Sequence, residues 1–118
     1  MLFLKEVLMD IKVNITSNRD LIEQASDEAI ERALEAIGLQ AEGYAKMLCP
    51  VDTGRLRNSI THTVDVAGKK AYVGTNVEYA AYVEMGTSKT KAQPYIQPAV
   101  YNHSDEYSRM VEYFLKNG

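Results

Sequence analysis

The feature that most restricts this chain is an apolar stripe of helical period running from Leu21 to Leu48 and closed by Pro50. Ile22, Ala25, Ala29, Ala33, Ile37, Ala41, Tyr44 and Leu48 recur at steps of three and four, and Ile30 and Leu34 widen the stripe. Glu23, Asp27, Glu28, Glu31 and Glu35 occupy the opposite face, so the spacing predicts one long amphipathic helix. It should stop before Pro50, because a proline biases its predecessor away from the α region. From Leu21 to Cys49 such a helix would extend about 43 Å. In a chain of 118 residues it becomes the backbone of a single domain, since no second core fits. Gly38 and Gly43 each weaken it by about 1 kcal/mol relative to Ala, which marks a bend or a close helix contact.

The rest of the chain must pack against that helix. Asp10–Thr16 alternates, with Ile11, Val13 and Ile15 on one side, the pattern of a half-buried strand. Asp20 and Glu23 have the spacing of an acidic capping pair at the helix start. Pro50–Gly54 reads as a turn. Ile60–Ala67 and Ala71–Thr75 are β-prone runs joined by Gly68-Lys69-Lys70, a hairpin in which Gly68 supplies the positive φ. Val77–Met85 predicts a short helix stopped by Gly86. The polar run 86–93 has no apolar anchor and is expected to be a mobile loop. From Gln97 helical spacing resumes through Val100, Tyr107, Met110, Val111, Phe114 and Leu115, with Pro98 in the first turn. The expected class is α+β: a small antiparallel sheet packed against a long N-terminal helix, plus a short central and a C-terminal helix.

Composition then excludes several tasks. One Cys cannot form an internal disulfide. A net charge of −3 argues against a dedicated nucleic-acid binder, and no apolar run approaches the roughly 20 residues of a membrane span. Lys5 and Glu6 interrupt the apolar start, against a secretory leader. The charge is also uneven. Residues 1–50 carry five basic and nine acidic side chains, and residues 51–93 carry six and four. Eight Tyr beside two Phe and no Trp suit either a protein–protein surface or the edge of a small core.

Catalytic candidates are few. Asp52-Thr53-Gly54 is the tripeptide of the aspartic proteases, but Cys49-Pro50-Val51 precedes it where those enzymes have an apolar strand. A turn in which Asp52 or Thr53 caps the next segment accounts for it better. Cys49 ends the apolar stripe, and His62 and His103 have no carboxylate at a motif spacing. The three are too scattered for a zinc site, and no Gly-rich phosphate loop is present. The expectation is no catalysis, no metal and no cofactor.

Three motifs in series carry a resemblance. They are Cys-Pro-Val-Asp-Thr-Gly-Arg-Leu-Arg-Asn-Ser-Ile (49–60), Val-Gly-Thr-Asn-Val-Glu-Tyr-Ala-Ala-Tyr-Val-Glu-Met-Gly-Thr (73–87) and Gln-Pro-Tyr-Ile-Gln-Pro-Ala-Val (93–100). From about residue 20 to 118, with 1–9 outside, the chain resembles small tail proteins of tailed bacteriophages and prophages, the head–tail joining and tail-completion proteins. Tyr95-Ile96-Gln97 stands where Phe-Leu-Arg is commoner. The resemblance implies a structural virion protein that assembles as a ring, commonly of six copies, at the head-proximal end of the tail. Its partners would be further copies of itself, the tail-tube and head-connector proteins, and DNA passing through the lumen, with no membrane. It would reside in the virion tail, and in the host cytoplasm during assembly.

Read residue by residue, the motifs also take structural roles, and the polar, lysine-bearing stretches suggest contacts. Pro50, Asp52, Thr53, Gly54, Leu56 and Ser59 would set the turn after the long helix. Tyr79, Tyr82 and Glu84 would form a packed corner that the chain leaves at Gly86. Thr87, Ser88, Lys89, Thr90 and Lys91 would be an assembly contact, and Lys69, Lys70, Lys89 and Lys91 would face DNA. The rival readings are a non-viral protein-binding module and a dimeric acid protease using Asp52-Thr53-Gly54.

Overall fold

The structure, a computed structural model, describes residues 9–11, 15–51 and 54–117. The elements are β1 (Met9–Ile11), α1 (Ile15–Gln24), α2 (Asp27–Leu48), α3 (Arg55–Ser59), β2 (Thr61–Asp65), β3 (Lys70–Gly74), α4 (Ala80–Met85), α5 (Ile96–Tyr101) and α6 (Ser104–Asn117). The class is α+β, as the sequence predicts.

The long helix is divided. Ser26 takes an extended conformation and its hydroxyl accepts from the Ala29 N–H at 3.2 Å, which starts α2 afresh. Asp27 and Glu28 in that first turn complement the positive end of the helix dipole. The apolar period runs through the break because both helices turn the same side to the core, so periodicity alone missed it. α1 already begins at Ile15, which corrects two expectations. Ile15 and Thr16 are helical and not part of a strand, and Asp20 lies inside α1 and not at a helix start. Val13 lies outside the described residues.

α2 covers one face of a three-stranded antiparallel sheet in the order β1-β3-β2. The register pairs His62 with Val73 and Val64 with Ala71, so these four share the face toward α2. Thr63 with Tyr72 and Asp65 with Lys70 point the other way. At the hairpin turn Lys69, and not Gly68, holds the positive φ, at 56°. Gly68 instead donates its N–H to the Asp65 carboxylate at 3.0 Å, and a side chain there would run into that carboxylate.

The core follows the α2 stripe: Ile30, Ala33, Leu34, Ile37, Ala41, Ala45 and Cys49 form one cluster with Ile60, Val73, Ile96, Tyr107 and Val111. α6 packs along α2. Tyr44 stacks on His103 at 3.6 Å between ring centroids, and its hydroxyl donates to Glu106 at 2.6 Å. Gly38 lies under the His62 ring, where an added Cβ would stand 2.7 Å from Cδ2, so the close approach at Gly38 is to strand β2 and not to another helix. Gly43 faces open space. The molecule measures 50 × 26 × 19 Å.

Candidate assembly surface

The first motif builds a corner beyond the end of α2. Cys49 ends the helix, Gly54 (φ 85°) opens α3, and the Asn58 N–H donates to the Gly54 carbonyl at 2.9 Å. That left-handed backbone is the physical need for glycine at 54. Asp52 and Thr53 lie outside the described residues. Leu56 is buried. Ser59 donates to the Leu56 carbonyl at 2.6 Å, which leaves its oxygen to accept from the Thr75 hydroxyl. Thr75 is fully buried and in turn accepts from the Val77 N–H at 3.1 Å. This chain of hydroxyls fastens α3 to the end of β3, a purpose for Ser59 that spacing alone does not reveal.

The second motif builds the neighbouring corner around Glu84. The residue is 5% exposed, and its carboxylate accepts from the N–H groups of Tyr95 at 3.2 Å, Ile96 at 2.9 Å and Gln97 at 3.2 Å. It therefore satisfies the otherwise orphaned donors at the start of α5. Tyr79 is half-buried and carries the Arg55 guanidinium 5.5 Å from its ring centre. Arg55 also makes a two-bond pair with Glu78, at 2.8 and 2.9 Å, and the guanidinium holds that carboxyl below its usual pKa. Tyr82 is not packed: it is 63% exposed, because residues two apart on a helix point to opposite sides and Glu84 takes the inward one.

Gly86, at φ 76°, lets the chain leave α4 against the Thr90–Ala92 backbone, where any Cβ would collide. The loop that follows is anchored at both ends. Thr87 donates its N–H to the Thr90 carbonyl at 2.8 Å, and the Thr87 hydroxyl accepts from the N–H groups of Lys89 and Thr90. Gln93 donates its N–H to the Val83 carbonyl at 2.9 Å. Residues 87–94 are all exposed. Lys89 and Lys91 thus stand on a short tied loop, whereas Lys69 and Lys70 lie at the hairpin turn, with the whole length of β3 between the pairs.

Between these corners lies a groove of about 540 Å³ lined by Val51, Leu56, Tyr79 and Val83, with Arg55 and Gln93 at its edges. Met47 (80% exposed), Leu48, Val51, Tyr82 and Met85 stand exposed on the elements that form this end. Sequence reasoning placed Leu48 in the core stripe, yet it is nearly half exposed because Ala45 and Cys49 take the inward positions.

The residues weighed for catalysis are otherwise engaged. Cys49 is buried, its thiol is pushed up in pKa chiefly by that burial, and its Sγ contacts the Pro50 carbonyl. His62 sits between two helix carboxylates, Nδ1 at 2.9 Å from Glu42 and Nε2 at 2.9 Å from Glu35. Burial works against its charge, but the two carboxylates outweigh that and raise its pKa. Glu42 was not singled out in the sequence, since only the fold brings β2 alongside it. Among the described residues no helix is long and apolar enough to cross a membrane.

Set against known proteins, residues 10–86 match the family model for the bacteriophage HK97-gp10 tail component, HK97-gp10-like. That span is about two-thirds of the chain and holds the first two motifs up to Gly86, leaving Gln93–Val100 outside. No curated protein and no solved structure matches the chain.

Proposed function

The chain belongs to the HK97-gp10-like family of bacteriophage tail components, and on that premise we propose that it is the subunit of a ring that completes the tail and joins it to the head. The observation that carries this reading is the set of apolar side chains left exposed on the elements bordering an open groove: Met47, Leu48 and Val51 at the end of α2, and Tyr82 and Met85 on α4. Apolar surface gathered in this way marks a protein contact. Its neighbours are further copies of itself, commonly six to a ring, and the tail-tube and head-connector proteins. The work is structural and not enzymatic: the ring caps the tube, presents a face to the connector and leaves a lumen for DNA. Assembly takes place in the host cytoplasm, and the product is part of the virion tail.

The two lysine pairs divide the contacts. We assign Lys69 and Lys70, at the hairpin turn, to the lumen, where repetition around a ring multiplies a weak positive potential. The tied loop with Thr87, Ser88, Lys89, Thr90 and Lys91 serves assembly. The test is deletion of Ser88–Lys91 in the phage. The variant should melt as the parent does, yet yield no completed tails in electron micrographs. Tails of normal length with heads attached would refute the reading.

A further inference from the structure

We propose that the subunit contact runs from the end of α2 in one copy to the middle of α2 in the next: the apolar groove receives the exposed Leu39 and the glutamates beside it. This rests on the ring reading above and adds which two surfaces meet.

The groove side is apolar in its floor, and the two segments that border it, α3 and the loop ending at Gln93, carry cations beside the Arg55–Glu78 pair. Val51, Leu56, Tyr79 and Val83 form the floor. Arg57 stands exposed on α3, and Lys89 and Lys91 on the loop that returns to the groove at Gln93. None of these three makes an ion pair among the described residues. Such a border would meet nucleic acid as readily as protein, but DNA phosphates have no use for the apolar floor. An occupant with carboxylates set around an apolar side chain satisfies both.

This chain carries that occupant. Leu39 is 60% exposed, and Glu28, Glu31 and Glu35 precede it on the same exposed face of α2 at helical steps, with Arg32 among them. Glu28 and Glu31 make no ion pair among the described residues. Beside them a second groove of about 460 Å³, closed by Phe114 of α6, gives the row a shaped border. The molecule cannot join these surfaces within itself. Glu28 and Leu48 lie on one rigid helix, about 30 Å apart. Because the two surfaces differ, the contact is heterologous, and repeated it generates a ring or a filament and not a closed pair.

The experiment measures assembly by light scattering and negative-stain microscopy over a concentration series. It uses the full chain, the pair Lys89→Glu with Lys91→Glu, the pair Glu28→Lys with Glu31→Lys, and the four changes combined. All four residues are exposed, and thermal melting confirms that each variant is folded. Each pair alone should raise the concentration for half-assembly about tenfold or more, and the combination should restore it to within about threefold of the parent. Rings that form unchanged in both single-face variants overturn this contact and leave the ring reading standing. A parent protein that remains monomeric throughout overturns both. As an independent measurement, Leu39→Cys and Val51→Cys proteins mixed under mild oxidation should form a disulfide-linked heterodimer. Assembled rings that give no such product overturn the contact.

Discussion

A carboxylate is tolerated in a protein interior where its acceptor capacity is filled, and Glu84 meets that condition with three backbone donors of the segment opening α5. Glu84→Ala would leave buried N–H groups without partners. It should cost about 2–4 kcal/mol, read as a lowered denaturation midpoint with an unchanged slope. His62 makes a second residue-scale prediction, with its sign set by the pKa directions. For His62 the carboxylates of Glu42 and Glu35 overcome burial and raise the pKa. Its contribution is therefore complete below the ordinary value of 6.5 and fades as pH rises through the higher folded value. For Glu42 burial is likewise overcome, by His62 and Lys46, and the pKa falls. Its contribution is present above 4.5 and is lost as acid carries the pH through the lower folded value. Stability should thus be greatest between these limits, and His62→Gln should flatten the profile in urea titrations. A profile unchanged by that substitution would contradict the clamp.

At the scale of elements, the glycines of α2 separate local propensity from packing. In an isolated helix each Gly→Ala change gains about 1 kcal/mol. Gly43→Ala should realise that gain, since its side is open. Gly38→Ala should instead destabilise by about 1–3 kcal/mol, because the methyl group meets the His62 ring. Thermal melting of the two variants decides it, and shifts of the same sign would refute the packing account. The sequence could read both glycines as exceptions to helix propensity, but not which one touched β2. The same limit explains the divided helix. Ser26 is a good cap, yet the apolar period passes through it, and only the packing of α1 against α6 shows that the chain restarts there. At the hairpin, Gly68 looked like the residue with positive φ, but the Asp65 carboxylate bonds to its N–H and Lys69 takes the left-handed position.

The molecule as a whole is elongated, with an apolar groove at one end of α2, bordered by segments that carry cations, and an acidic row along the first half of that helix. If those surfaces meet between copies, assembly should weaken as salt rises, because the exposed charges at the contact are screened within roughly 10 Å at 0.1 M. Scattering at low and high ionic strength reads this, and assembly indifferent to salt would show that the apolar floor acts alone. What depends on near neighbours along the chain can be read from the residues alone: the amphipathic stripe, the hairpin, the stops at Pro50 and Gly86, and the two motifs that fall within the family match. Periodicity and turn chemistry act over a few residues, so they are legible without coordinates. That Glu84 caps α5, that Glu35 and Glu42 hold His62, and that Tyr82 and Leu48 face outward came from the packing. Those facts rest on contacts between segments far apart in sequence, and a carboxylate or an apolar side chain carries no local sign of which distant group it will meet.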